Sequence, residues 1–307
     1  MRGLSLDQLS TFAQVIELGG FSAAAQRLNL SQPAVSLQVR QLERRLGVRL
    51  VERVGRRATA TAAGLDLLAH VRRIESAVAD AAEAMAVHAG GTVGRVRIGT
   101  GGTACIYLLP PIVRVLRQRF PSLEIVVSTG NTPDVLKGIE ANAVDVGLVT
   151  LPVAAAAGRM LQMTPVLDDE FVAIFPAGEA PAGPVTAAVL AARSVVLYEP
   201  GAHTRHIVDD WALRGGAALK PVSELGSVEA IKELVAAGLG CSVLPKMALP
   251  PAQVEGRLDV RRLSPRLYRK LAVVLRRDKP LRRGLNEVVK ALTAVGRRRR
   301  GGLKMSR

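Results

Sequence analysis

Near the start of the chain, hydrophobic residues recur every three or four positions. Leu6, Leu9, Phe12, Ala13 and Ile16 share one side of a helix, and Gly19-Gly20 supplies the backbone freedom at which such a helix ends. Ser22 is an N-cap for a short helix Ala23 to Leu28, and Asn29-Leu30-Ser31 then interrupts the pattern. Ser31 caps again, Pro33 suits a first helical turn, and Ala34, Val35, Leu42 and Leu46 carry an apolar stripe to Gly47. Two helices joined by so short a turn form a helix-turn-helix arrangement. The segment Arg49 to Thr61 follows as a short basic ribbon turning at Gly55.

From Ala62 the chain becomes rich in Ala, Leu, Glu and Arg and predicts one long helix to about His88, stopped by Gly90-Gly91. Leu67, Val71, Ile74, Val78, Ala81, Met85 and His88 are spaced alternately four and three apart. That 3.5-residue period is the condition for two helices to run along each other. The seam Leu67, Val71, Ile74, Val78 and Met85 is therefore expected to pair two copies, the alternative being a helix packed on its own domain. Glu at Ile74 and Val78 is expected to split such a dimer.

After Gly94 the period changes. Val96 and Ile98 alternate with Arg95 and Arg97 as a strand. Thr100-Gly101-Gly102-Thr103 leads into a helix with inner face Ile106, Leu109, Val113, Leu116 and Phe120. Leu123–Ser128 reads as a strand, Pro133–Ala141 as a helix and Val144–Val149 as a strand. This alternation argues a parallel sheet with crossover helices. It restarts at Phe171–Phe175, Val195–Leu197, Thr204–Arg214, Pro221–Leu225, Ser227–Ala237 and Cys241–Leu244, and Lys270–Leu275 and Leu281–Val295 add a last strand and helix. The fold class is α/β with two lobes. Such sheets bind ligands beyond the carboxyl ends of their strands. Three loops fit: Thr100–Thr103, Gly130-Asn131-Thr132 and Gly226-Ser227, whose small or hydroxyl-bearing residues and free N–H groups favour an anion. Plain helix caps and turns are the alternative for any one of them.

Composition narrows the function. With 307 residues, 49% hydrophobic and 22% charged, the chain can bury ordinary cores in about two domains. The net charge of +16 suggests a polyanionic partner. That charge is concentrated at the ends: residues 1–61 hold nine basic side chains against four acidic ones, and 297–307 hold six with no acid. The basic end 297–307 is expected to be disordered and to add nonspecific DNA affinity. Two cysteines, Cys105 and Cys241, build no disulfide framework, and four histidines with no Cys-x-x-Cys offer no metal site. A reducing cytoplasm is the simplest setting, because no apolar run suits a signal peptide or membrane span.

Gln32, Ser36, Gln38 and Arg40 fall off the Val35/Val39/Leu42 stripe, on the face and end of the second helix that would enter a major groove. Gln pairs bidentately with adenine, and Ser donates or accepts. A solvated helix face is the other reading. Arg53, Arg56 and Arg57 are placed for phosphate or the minor groove. Residues 24–64, AAQRLNLSQPAVSLQVRQLERRLGVRLVERVGRRATATAAG, resemble the signature of LysR-type transcriptional regulators.

That resemblance implies a winged helix-turn-helix over 1–61, a linker and dimerisation helix over 62–92, and a two-lobed domain like periplasmic binding proteins over 93–296. Lobe I would hold about 93–167 and 268–296, and lobe II about 168–267, with crossings near Val166–Asp169 and Leu263–Arg269. Ser31, Gln32, Pro33, Ser36, Gln38, Arg40, Arg53 and Arg56 would meet DNA. Val51 and Leu37 depart from the commoner pattern, Leu37 standing where a base-contacting Arg often sits. The effector would touch Thr100, Gly101, Gly102, Thr103, Asn131, Thr132, Ala202, His203, Thr204 and Ser227. The expected partners are double-stranded DNA, a second copy in a homodimer or homotetramer, a small-molecule effector and RNA polymerase, with no cofactor. Effector closure of the lobes would change how dimers pair and hence bend DNA. Two other readings stay open: a DNA-organising protein with little sequence preference, and an enzyme using Cys105 as nucleophile.

Overall fold

The computed structural model describes residues 3–55, 57–88, 94–153 and 160–302. The chain forms two compact units, Met1–Gly91 with Ala141–Ala143, and Thr92–Glu140 with Val144–Arg307.

The first unit begins with α1 (Leu6–Glu17), α2 (Phe21–Leu28) and α3 (Gln32–Leu46). Gly19 takes a left-handed φ of 68° after α1 and Gly47 one of 71° after α3, the conformation glycine adopts without a Cβ clash. Ser31 caps α3 by accepting from the Ala34 N–H at 3.3 Å. Ser22 does not cap α2. That helix starts at Phe21 after Gly20, with no side-chain cap, so Ser22 lies inside its first turn. A hairpin follows, β1 (Val51–Val54) antiparallel to β2 (Arg57–Ala60). Glu43 ties it to α3, accepting the Leu50 and Val51 N–H groups at 2.8 and 3.2 Å.

The long helix α4 spans Ala62–His88. Its start lies so close to the hairpin that a Cβ on Gly64 would stand 2.2 Å from the Leu50 carbonyl oxygen. Val71 is fully buried in the same core as Phe12, Val35, Leu42 and Leu50, with Leu67 and Ile74 packed at its edge. The first half of the expected dimer seam is therefore covered by the chain's own head. Periodicity reports that a face is covered and not by what. Val78 and Met85 are 47% and 62% exposed. Gly90-Gly91 lie outside the described residues.

The second unit is built on one six-stranded sheet with order β4-β3-β5-β10-β6-β9. Here β3 is Arg95–Thr100, β4 Glu124–Thr129, β5 Val146–Leu151, β6 Leu161–Pro176, β9 Ser242–Pro245 and β10 Leu258–Arg276. β3 runs parallel to β4 and β5, but β10 is antiparallel to β5 and β6, so the sheet is mixed rather than all parallel. The two long strands β6 and β10 pair through both lobes, passing through the expected crossings. β7 (Val195–Tyr198) and β8 (Pro221–Leu225) form a separate parallel pair in lobe II.

The expected single helix after Thr103 is two, α5 (Gly102–Tyr107) and α6 (Leu109–Arg119), broken at Leu108 with proline in the first turn of the second. The break turns Ile106 outward, 45% exposed, while Leu108, Leu109 and Leu116 enter the core. α7 (Thr132–Glu140), α8 (Ala187–Ala191), α9 (His203–Arg214), α10 (Val228–Ala236), α11 (Pro251–Val254) and α12 (Arg283–Gly302) complete the unit. α12 continues through the arginine run to Gly302, so residues 297–302 are helical where disorder is expected, and 303–307 lie outside the described residues. Arginine is a good helix former, and the stripe Leu285, Val288, Leu292 anchors the helix on lobe I.

Candidate functional site

The head presents one face of α3. Gln32 is exposed and donates from Nε2 to Ser36 Oγ at 2.9 Å. Arg40 is exposed, its Nε donating to the Ser36 carbonyl at 3.2 Å. Pro33 and Leu37 are exposed beside them, and the side chain of Ser31 is spent on its cap while the residue stays at the surface. Residues four apart stack along a helix, so Gln32, Ser36 and Arg40 form one row. Gln38 does not join it. Two residues on from Ser36, its side chain turns toward α1 and accepts from Thr11 Oγ1 at 2.5 Å. Arg53 and Arg57 are exposed on the hairpin strands, and Arg56 lies outside the described residues. A groove between α3 and the hairpin is lined by Ser36, Arg40, Arg49 and Arg53. Glu43, read from sequence only as a charge, holds the groove's two walls together.

In the second unit a cleft of about 340 Å³ opens where lobe I and lobe II meet. Nine of the ten expected effector residues line it: Gly101, Gly102, Thr103, Asn131, Thr132, Ala202, His203, Thr204 and Ser227. Thr100 is the exception. It is fully buried and its hydroxyl donates to the Leu148 carbonyl at 2.9 Å, joining β3 to β5.

Three helices of nine or more residues begin at this cleft, α7 with Thr132, α9 with His203 and α10 just after its N-cap Ser227. Their first-turn N–H groups have no partner within the helix and carry the positive end of the helix dipole. α9 has no side-chain cap, although its Arg205 N–H already donates to the Ala202 carbonyl at 2.9 Å. Hydroxyl donors add to the first-turn N–H groups. Thr132 Oγ1 accepts from the Thr150 N–H at 3.4 Å, Thr204 Oγ1 accepts from Arg269 at 3.3 Å, and Ser227 Oγ accepts from the Ala230 N–H at 3.4 Å. Each keeps its own hydrogen to donate.

Sequence reasoning missed three contributors. Arg269 and Tyr198 line the cleft, and Asp169 stands behind Arg269. Arg269 Nε donates to Asp169 Oδ2 at 3.0 Å, while Nη2 lies 3.0 Å from the same oxygen without a hydrogen-bonding angle. The Tyr198 hydroxyl lies 3.3 Å from Thr103 Oγ1, and burial raises its pKa above the usual phenol value. His203 is pushed below 6.5 by burial, with His206 and Arg269 adding to the shift, although a backbone hydrogen bond to Leu151 opposes it. Cys105 lines the cleft as well, half-buried, while Cys241 is buried in lobe II with its thiol pushed up to about 11 by burial. No helix among the described residues is long and apolar enough to cross a membrane.

Comparison with known proteins agrees with this division. Residues 6–65 match the bacterial regulatory helix-turn-helix protein family of lysR type, and residues 89–297 match the LysR substrate binding domain. The HTH-type transcriptional regulator YeiE of Escherichia coli is 34% identical over 92% of this chain and 94% of its own length. The regulator CbbR of Rhodospirillum rubrum is 33% identical over 95% and 97%. Among solved structures, full-length OxyR from Pseudomonas aeruginosa superposes with a TM-score of 0.72 at 23% identity, covering 95% of each chain. Full-length CbnR bound to its target DNA gives 0.70 at 22% identity over 95% of this chain and all of that one. The relatives are transcriptional regulators, not enzymes. With a winged helix-turn-helix at one end and a two-lobed effector-binding domain after it, the chain belongs to the LysR family of DNA-binding transcriptional regulators.

Proposed function

We propose that this regulator binds operator DNA as a homodimer, with further pairing to a homotetramer, and is controlled by a small anionic metabolite held between the lobes. The observation that carries the effector half is the convergence of nine expected residues and three helix N-termini on one cleft. Its volume of about 340 Å³ falls at the small end of ligand pockets. Arg269 contributes positive charge that Asp169 already balances, so the helix ends and hydroxyls supply the preference for an anion. RNA polymerase is the further partner of this reading, and the cytoplasm its setting.

On DNA, Gln32, Ser36 and Arg40 read base edges while Arg53 and Arg57 hold the backbone. The dimer contact is reduced to the exposed part of α4 that includes Val78 and Met85.

The test uses the full chain. Thermal shift and calorimetry against small carboxylates and phosphates should show saturable stabilisation that falls when Ser227 or Thr103 is replaced by Ala or Val. Equal stabilisation by neutral analogues would refute the anion reading. Competition between operator and random DNA at fixed salt separates a sequence-specific regulator from a DNA-organising protein.

A further inference from the structure

The face of α3 that the head leaves uncovered is polar along most of its length and apolar at one place. Gln32, Arg40, Gln41 and Arg44 are exposed on it, each ending in hydrogen-bonding groups. Leu37 stands among them, 45% exposed. At 3.6 residues per turn it lies about 160° around the helix from Val35 and Val39, both buried in the head's core, and about 60° from Arg40. Leu37 therefore projects away from the core, into the middle of the uncovered arc. It belongs to none of the apolar clusters formed by the described residues. Pro33, also exposed, precedes it by one turn, so the two form a short apolar strip beside the row of Gln32, Ser36 and Arg40.

A single exposed leucine is ordinary on a protein surface. This one occupies the face that would meet base edges, and there a major groove offers it one partner. The groove displays hydrogen-bond donors and acceptors from every base pair, and the one alkyl group among them is the 5-methyl of thymine. Set against any other base edge, leucine would strip water from a donor or acceptor and return no hydrogen bond. Against the methyl it removes apolar surface from water on both sides.

We infer that Leu37 is a specificity-determining residue that selects thymine by packing on its 5-methyl group. This rests on the reading, proposed above, that α3 presents this face to base edges, and it adds the base that one position prefers.

The test starts from duplexes selected by the full chain out of a random library, with affinity measured by titration at fixed salt. Replacing a thymine by deoxyuridine deletes the methyl and leaves every hydrogen-bonding group in place. At one thymine position this change should weaken binding about threefold to fivefold in the parent and by less than about 1.5-fold in Leu37→Ala. Leu37→Met keeps the apolar reach and should keep the penalty. Both variants should melt with the parent, because the side chain lies outside the core. Selection repeated with Leu37→Ala should no longer enrich thymine at that position. Absence of any enriched thymine that is sensitive to loss of its methyl, or a methyl dependence as large in Leu37→Ala as in the parent, overturns the inference. The wider reading has its own check: it stands if Gln32→Ala changes the selected sequence, and it falls with the inference if neither Gln32→Ala nor Leu37→Ala does.

Discussion

Asp169 and Arg269 face each other as register partners on β6 and β10, the two strands that run through both lobes, with side chains only 2% and 4% exposed. Asp169 also accepts from the Met247 N–H at 3.2 Å, and Arg269 reaches Thr204 at the cleft. The pair thus couples the strands joining the lobes to the start of α9. A buried pair of this kind adds little over an apolar replacement, but removing one partner strands a charge.

Asp169→Asn is accordingly expected to destabilise the chain by about 3–5 kcal/mol, whereas Asp169→Leu with Arg269→Met should regain most of the loss. Urea unfolding followed by the fluorescence of Trp211 reads this directly. Trp211 is the chain's single tryptophan, and its indole donates to the Pro265 carbonyl at 2.7 Å in lobe II. A double variant no more stable than Asp169→Asn would contradict the account.

The row Gln32, Ser36, Arg40 and the inward turn of Gln38 separate two residues of the same type on one helix. Gln32→Ala should lower operator affinity by about 1–3 kcal/mol and relax sequence preference, as loss of a base contact does. Gln38→Ala loses the Thr11 hydrogen bond and should reduce the stability of the head by about 1 kcal/mol with the preferred site unchanged. Binding-site selection with each variant distinguishes the two outcomes.

Much of this was legible in the sequence, and the failures share a cause. The head follows from helix period and capping, and the cleft from the rule that loops at strand ends converge. Thr100 and Thr103 flank the same Gly-Gly turn, yet Thr103 lines the cleft with the two glycines while Thr100 is buried behind them. Arg269 and Asp169 lie mid-strand, where a charged residue reads as solvent-facing until the register shows that the two oppose each other. Gln38 sits about 200° around the helix from Ser36 at 3.6 residues per turn, a displacement that a polar-versus-apolar reading overlooks. Val71 fits a 3.5-residue seam equally well against a second copy or its own head.

Asp145 carries a pH dependence of definite sign. Burial alone would raise its pKa, but hydrogen bonds from Arg97 and Lys279 outweigh burial and hold it below the ordinary 3.8. Arg97 Nη2 stands 2.8 Å and Lys279 Nζ 2.9 Å away. A carboxyl with its folded pKa depressed contributes stability that is complete above its unfolded value and lost as pH falls through the folded one. Asp145→Asn should therefore cost about 3 kcal/mol at pH 7, and its deficit relative to the parent should narrow only as pH drops below about 4. Urea titrations of both proteins at pH 7, 5 and 3 check the window. A gap that closes already at pH 5 would mean the ion cluster is not its source.

The linker helix offers the sharpest contrast between a core and an interface. Val71 is fully buried among Phe12, Val35 and Leu42, so Val71→Glu places a charge in the head's core and should unfold that unit by several kcal/mol. Val78 and Met85 are exposed within one copy, and replacing both with Glu alters no intrachain core. If a second copy covers them, that double variant should sediment as a monomer, keep the head's melting temperature and lose the tight binding that depends on occupying two half-sites at once. An intact dimer in sedimentation would move the interface elsewhere. Because Ile74 packs at the edge of the head's core, Ile74→Glu confounds the two effects, and the Val78 and Met85 pair is the cleaner probe.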